Sequence, residues 1–358
     1  MIPISITKIS ESRISQFDQT NIQFGKVYTD HMFVVDYSNS KWDNPRIIPY
    51  QPFSLSPATS ALHYGQAIFE GMKAFKNGKG EISLFRPTDN AKRLNISADR
   101  MMMPSIPEDI FMEGLLELLK LDQEWVPDTK GSALYIRPYM FATDAFIGVK
   151  PSENYTFCIF CSPVGPYYTN PLSVKIEDVY SRAVKGGTGF AKCAGNYAAS
   201  LKPTWIAQSE GYDQILWTDA LEHKYIEETG TTNIFFDING KLVTPSKSDT
   251  LLAGITRDSV IKIAHNLNMS IEERKITVDE LIIAAKDGSL REAFISGTAA
   301  TILNIKAIGY QGTKFEIDSE NPNRLSEKIK NHLLQLRSGD IEDKWGWRYR
   351  LDTPITNH

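Results

Sequence analysis

Three prolines and a glycine fall within the stretch Pro163-Val-Gly-Pro-Tyr-Tyr-Thr-Asn-Pro171, near the middle of a 358-residue chain. Proline locks the backbone and removes a donor, so neither a helix nor a paired strand is expected to cross this stretch. It divides the chain into two parts, each long enough to close a hydrophobic core of its own. The organisation this predicts is a small α/β domain over 1–166, a linker over 167–179 and a large domain over 180–358.

On either side of that break, strand and helix patterns mix. In the first half, Met32-Phe-Val-Val-Asp-Tyr predicts a strand, and Glu81-Ile-Ser-Leu-Phe predicts another, reached through the turn Asn77-Gly-Lys-Gly80. Phe111, Leu115, Leu118 and Leu119 share one face at helical spacing, which predicts a helix over 108–121. A strand over 132–138 is expected to stop at Pro138 or to lie at a sheet edge because of it. In the second half, strands are expected near 174–179, 214–217, 232–238 and 293–296. Helices are expected after Asn196 and over 256–267, 278–285 and 326–336, with Pro203 in a first turn. Such mixing in two lobes makes an α/β or α+β protein.

Composition narrows the function. Apolar residues make up 42% and charged residues 23%, with a net charge of -4 and both signs interspersed. There is no basic stripe to follow a phosphate backbone, which argues against nucleic acid as a partner. No run of about 18 apolar residues suggests a membrane span. The N-terminal stretch lacks an apolar signal core and carries Glu11, so a cytoplasmic location is expected. Of the three cysteines, Cys158 and Cys161 sit three apart in an apolar strand pattern, on opposite faces, and read as core residues rather than a redox pair. No histidine spacing suggests a metal site.

Four segments combine glycine, hydroxyl and charge in ways that core packing does not require. The first is Val184-Lys-Gly-Gly-Thr-Gly-Phe-Ala-Lys-Cys-Ala-Gly-Asn-Tyr197, where glycines flanking Lys192 let backbone approach a ligand and a desolvated amine could attack an aldehyde. The second is Glu227-Glu-Thr-Gly-Thr-Thr-Asn233, which carries two acids into an apolar run, where a carboxylate needs a cationic partner. In the third, Leu252-Ala-Gly-Ile-Thr-Arg-Asp-Ser259, the N–H groups at a helix start suit a phosphate. The fourth, Ser296-Gly-Thr-Ala-Ala300, is a small-residue turn after a strand, with backbone donors for an anion. Each alone reads equally as a surface loop, a solvated turn or an ordinary capped helix.

Together with Phe24-Gly-Lys-Val-Tyr-Thr-Asp-His-Met32, Leu62-His-Tyr-Gly-Gln-Ala-Ile-Phe-Glu-Gly-Met-Lys-Ala-Phe75, Leu121-Asp-Gln-Glu-Trp-Val-Pro127, Ser162-Pro-Val-Gly-Pro166 and Trp345-Gly-Trp347, these segments resemble the fold-type IV pyridoxal-phosphate enzymes. Within that group the chain resembles the branched-chain amino acid aminotransferases over nearly its whole length. The resemblance implies a two-domain, D-amino-acid-aminotransferase-like fold. It puts the active site between the domains and makes the large domain the cofactor-binding one. It also implies transfer of the amino group of L-leucine, L-isoleucine or L-valine to 2-oxoglutarate.

The same resemblance assigns roles. Lys192 would bond the aldehyde of pyridoxal 5'-phosphate and carry the proton. Tyr197 would meet the phenolate oxygen, and Glu228, rather than Glu227, the ring nitrogen. Arg93, the N–H groups of Ile255 and Thr256, and Thr298 would hold the phosphate. Phe24, Tyr64, Phe69, Tyr135, Tyr167 and Thr231 would line the side-chain pocket, with Thr231 also near the cofactor. The backbone at Thr298 and Ala299 would take the α-carboxylate, and Arg137 the distal carboxylate of glutamate. Ile147 and Val149 match a loop supplied by a neighbouring subunit, so a homodimer is implied. Where some members carry a redox C-x-x-C, this chain has Ala300 and Leu303. Two other readings stay open on sequence: a different activity on this fold, such as a D-amino-acid aminotransferase or an aminodeoxychorismate lyase, and a cofactor-free binding protein.

Overall fold

Met32, Phe33, Val34 and Val35 are all buried, and they anchor the first sheet of the computed structural model, which describes residues 3–19, 22–129, 131–165, 170–319 and 321–352. Its strands are β1 (Ser5–Ile6), β2 (His31–Ser38), β3 (Lys41–Pro49), β4 (Ala67–Phe69), β5 (Met72–Lys76), β6 (Ile82–Phe85), β7 (Ala133–Ala142) and β8 (Tyr155–Val164). They run in the order β1-β3-β2-β8-β7-β5-β6; β4 adds to β7, and Arg348–Arg350 closes the edge beside β6. Helices α1 (Ser60–Tyr64), α2 (Pro87–Arg100) and α3 (Glu108–Leu121) accompany this sheet. The helical stripe read from sequence is the packed one: Phe111, Leu115, Leu118 and Leu119 are each 0% exposed.

Pro138 neither ends its strand nor marks an edge. β7 runs past it to Ala142 and pairs with β8 along its full length. On its other side, β5 pairs as far as Ile136 and β4 resumes at Tyr139, so Pro138 sits where the neighbouring strand changes. Its carbonyl still accepts the Glu70 N–H at 2.7 Å. No ladder bond needs the N–H that proline lacks there.

Cys158 and Cys161 occupy opposite faces of β8 and belong to different apolar clusters. Burial pushes the Cys158 thiol up to about 12 and the Cys161 thiol well above its ordinary value, so both are packed thiols rather than reactive ones.

The second sheet contains β9 (Leu172–Ile176), β10 (Gln214–Thr218), β11 (Ile226–Thr229), β12 (Asn233–Ile238), β13 (Lys241–Thr244), β14 (Ile271–Glu273), β15 (Leu290–Gly297), β16 (Thr301–Tyr310) and β17 (Thr313–Glu316). Their order is β11-β10-β9-β16-β15-β12-β13-β14, with β17 beside β16. β9 lies within 167–179, the segment expected as a linker, yet it pairs in parallel with both β10 and β16. Helices α4 (Ala194–Ala198), α5 (Leu201–Ser209), α6 (Ile255–Asn266), α7 (Val278–Asp287) and α8 (Leu325–Ser338) complete the set.

The chain divides into two compact units, each holding one sheet. The first comprises Met1–Tyr167 with Ala191–Ala194 and Gln335–His358; the second comprises Tyr168–Phe190 and Gly195–Leu334. Two pieces of the segment expected as the large domain, Ala191–Ala194 and the C-terminal stretch, thus pack with the first unit. Among the described residues no helix is long and apolar enough to cross a membrane.

Candidate active site

In the first unit, Lys192 is fixed through its main chain. Its N–H donates to Ser97 Oγ at 2.9 Å, and its carbonyl accepts the Phe69 N–H at 3.0 Å. Ser97 is fully buried on α2 and donates to the Arg93 carbonyl at 3.1 Å, so the lysine is tied to the helix that carries Arg93. The Lys192 Nζ stands 4.7 Å from the centre of the Phe69 ring. Arg137 lies over the same ring, also at 4.7 Å, and its Nη2 donates to the Tyr135 hydroxyl at 3.1 Å. Phe24 meets Tyr135 edge-on at 5.2 Å. Phe69, Tyr135 and Phe24 thus form an aromatic wall around two cations.

Arg137 stands out in this group. Its Nε is buried without a hydrogen-bond partner, and among the described residues no carboxylate pairs with it. A half-buried guanidinium of this kind is suited to receive an anion. Gly71 makes room for the Tyr135 side chain, since a Cβ there would collide with its hydroxyl. Arg93 is differently engaged. Its fork is closed on the buried Glu70, Nε to Oε1 at 2.7 Å and Nη2 to Oε2 at 2.8 Å. Tyr64 ends α1 and is exposed. Ile147 and Val149 are 71% and 90% exposed on a loop that Asp144 braces by accepting the N–H groups of Glu153 and Asn154. Tyr167 lies outside the described residues.

In the second unit, β11 carries Glu227 and Glu228 side by side, both buried. Successive strand residues face opposite ways, and the two acids accordingly have different surroundings. Glu228 Oε1 meets Arg182 Nε at 2.7 Å, and Oε2 accepts from Asn233 Nδ2 at 3.0 Å. Glu227 accepts only the Thr250 hydroxyl, at 2.6 Å, and its Oε2 has no partner among the described residues. Burial, helped by the Glu228 charge and opposed by the Thr250 hydrogen bond, pushes the Glu227 carboxyl up to about 7.

Tyr197 lies on α4, next to Asn196, whose amide both donates to the Thr188 carbonyl and accepts its hydroxyl, each at 2.8 Å. That pair ties Tyr197 to the glycine-rich turn. Helix α6 begins at Ile255 and Thr256 with Gly254 as its cap, and no side chain caps it. A Cβ on Gly254 would collide with Asn233 Oδ1, so the helix start and the Glu228 carboxylate share one neighbour. Thr231 is exposed at the turn between β11 and β12, and Thr298 and Ala299 follow β15 in the turn to β16. Ser97, Glu70, Arg182, Asn233 and Asn196 position the expected residues; Glu70, Asn196 and Asn233 lie inside the segments singled out from sequence but had no role assigned there, and Ser97 and Arg182 lie outside them. Each acts through a partner distant in sequence or through its own amide, which periodicity does not reveal.

The first unit offers an amine and a guanidinium for a carboxylate, and the second offers an acid able to serve a cationic nitrogen and a helix N-terminus for a phosphate.

A family model described as "Amino-transferase class IV" matches residues 67–308. The chain is 46% identical over 334 residues to a branched-chain-amino-acid aminotransferase 2 of Bacillus subtilis (strain 168), covering 92% of this chain and 92% of that one. Its fold is similar to that of a branched-chain aminotransferase from Thermoproteus uzoniensis solved with norvaline, with a TM-score of 0.75, 25% identity, and coverage of 90% of this chain and 99% of that chain. It also matches the fold of the branched-chain amino acid aminotransferase from Thermobaculum terrenum in its PLP form, with a TM-score of 0.73 and 23% identity, over 90% of this chain and 99% of that chain.

Proposed function

Because the chain belongs to the class IV amino-transferases, a pyridoxal-phosphate-dependent family, we propose that it moves the amino group of L-leucine, L-isoleucine or L-valine to 2-oxoglutarate. The products are the branched 2-oxo acid and L-glutamate. The reaction is reversible and runs in two halves, the first product leaving before the second substrate binds. The support for this reading is a set of groups that fits the cofactor: an amine at Lys192, a compensated buried acid at Glu228, and a helix start at Ile255 and Thr256.

When bound, pyridoxal phosphate supplies an aldehyde that takes up the amino group and a ring that accepts the electron pair left by the departing α-proton. Everything else falls to the chain. The Lys192 amine would hold the cofactor at rest, then take the α-proton from the amino acid and deliver it to the carbon on the cofactor side. Glu228 holds a proton at the ring nitrogen, and Tyr197 donates to the phenolate oxygen. The N–H groups of Ile255 and Thr256 and the Thr298 hydroxyl take the phosphate, and Arg93 adds charge while Glu70 fixes its fork. The backbone at Thr298 and Ala299 receives the α-carboxylate. Phe24, Tyr64, Phe69, Tyr135, Tyr167 and Thr231 exclude water from the branched side chain.

The observation that supports the acidic half of the reaction is the half-buried Arg137, which lies against an aromatic wall and has no acid paired with it among the described residues. It suits the distal carboxylate of 2-oxoglutarate, whereas a leucine side chain is too short and too apolar to use it. A homodimer follows from the same reading, with Ile147 and Val149 supplied to the partner's pocket.

Steady-state kinetics test this directly. The wild-type chain is expected to turn over L-leucine, L-isoleucine and L-valine with 2-oxoglutarate. Arg137→Met is expected to raise KM for 2-oxoglutarate on the order of 100-fold while leaving KM for leucine within about threefold, as loss of a charge-assisted contact implies. Equal losses for both substrates would refute the assignment of Arg137.

A further inference from the structure

Arg182 spends each of its three guanidinium nitrogens on a different part of the second unit. Nε meets Glu228 Oε1 at 2.7 Å, Nη1 donates to the Thr250 carbonyl at 2.8 Å, and Nη2 donates to the Gly189 carbonyl at 3.1 Å. Its side chain is 6% exposed and that of Glu228 is 3% exposed, so water cannot replace either partner. The other side of Glu228 is closed by Asn233, whose Nδ2 is shared between Glu228 Oε2 and the Leu252 carbonyl, at 3.0 Å each. The carboxylate is therefore clamped from both oxygens. One clamp leads to the glycine turn at Gly189, and the other to the segment entering α6.

We propose that Arg182 is a positioning residue for transamination: it compensates the buried Glu228 charge and aims that carboxylate at the cofactor's ring nitrogen. This rests on the reading above that Glu228 serves that nitrogen. A buried carboxylate without a cation takes up a proton instead of keeping its charge. A neutral Glu228 could not hold a proton on a pyridine nitrogen, and the ring would lose its power to accept electrons. The geometry also explains why the cation is an arginine. Only a planar fork can meet a carboxylate and two divergent carbonyls at once; a lysine would keep the charge and lose at least one of those contacts. One further group bears on this centre. Glu227 shares Thr250 with Arg182, the threonine hydroxyl bonding the acid and its carbonyl accepting from the guanidinium. The charge of Arg182 in turn acts on Glu227.

The test uses the full-length protein as wild type, Arg182→Gln, Arg182→Lys, Glu228→Gln and the Arg182→Gln/Glu228→Gln double variant. Pyridoxal phosphate is titrated into each apo-protein, and the absorbance of the bound cofactor is followed across pH, beside kcat and KM for leucine. Arg182→Gln is expected to weaken pyridoxal phosphate binding on the order of 10- to 100-fold, as removal of a group that orients a ligand-holding side chain does elsewhere. It should also move the pH-dependent absorbance transition and lower kcat while KM for leucine stays within about threefold. Arg182→Lys should fall between the two. In the Glu228→Gln background, adding Arg182→Gln should cost less than about threefold further, since the residue it acts through is already altered.

Wild-type affinity and an unmoved absorbance transition in Arg182→Gln would overturn the proposal, and so would losses that multiply in the double variant. If Arg182→Gln does not fold, Arg182→Lys decides by the same readouts: an unmoved transition overturns the proposal, and a moved one with intact fold supports it. A wild-type protein that neither binds pyridoxal phosphate nor turns over leucine would refute the function proposed above. A normal wild type beside an unaffected Arg182→Gln would sink only the role of Arg182.

Discussion

Lys192 was legible because glycines bracket it, but what fixes it is not. Its backbone is held by Ser97 from α2 and by Phe69 from β4, residues that sequence periodicity assigns to the core. The choice between Glu227 and Glu228 rested on a motif, and the structure gives the two physically distinct surroundings: Glu228 has a cation, and Glu227 has an oxygen with no partner among the described residues. Arg182 is invisible in sequence because its three partners lie 7, 46 and 68 positions away. Lys192→Ala is expected to abolish turnover while circular dichroism remains that of the wild type. Arg93 and Glu70 form a buried pair, and removing one partner costs about 3 to 5 kcal/mol. Arg93→Ala should therefore lower the melting temperature even of the apo-protein, by about 5 °C or more. An unchanged apo melting temperature would show that the pair contributes no net stability. Glu227 should impose a pH dependence. Its carboxyl rises from 4.5 to about 7 on folding, so the folded chain holds this proton more tightly than the unfolded one. The stability linked to that proton is full below about pH 4.5 and is lost as pH rises through about 7. Glu227→Gln should then gain on wild type across that window, by about 1 to 3 kcal/mol in urea denaturation. Parallel stability curves from pH 4.5 to 7.5 would argue against it.

Elements with clean periodicity were readable, whereas proline blurred the bounds or the setting of the elements it touches. α3 shows its buried stripe openly, and the α6, α7 and α8 segments keep helical spacing. β3 hides behind Pro45 and the left-handed Asn44, which break its alternation. β9 overlaps the strand expected near 174–179 but starts earlier, just after Pro171, and its partners on both sides make it interior to its sheet. Pro138 misleads in the opposite direction, since a proline can sit in a central strand where the neighbouring strand changes. At the start of α6, Gly254 serves both the helix and the acid, for its missing Cβ leaves room for Asn233. Gly254→Ala should push Asn233 away from Glu228 and weaken pyridoxal phosphate binding by about tenfold, with KM for leucine nearly unchanged. An affinity equal to wild type would show that Asn233 can shift without disturbing the site.

For the molecule as a whole, sequence conveyed the mixed α/β class and the presence of two sheets' worth of strands, because strand and helix patterns are local. It did not convey that Ala191–Ala194 and the C-terminal stretch pack with the first unit, since nothing local marks which core a segment joins. The proposed homodimer would draw on exposed apolar side chains, and Ile147 and Val149 stand out on a braced loop in the single chain. Sedimentation at micromolar concentration is expected to give twice the mass of one chain, and a monomer with full activity would contradict the proposed sharing of that loop. The most direct measurement concerns the amine itself. Purified protein loaded with pyridoxal phosphate is reduced with borohydride, digested, and its pyridoxyl-bearing peptide sequenced. The label is expected on Lys192, within the peptide that runs from the glycine turn to Tyr197. A label on any other side chain, or no label at all, would contradict the proposed function.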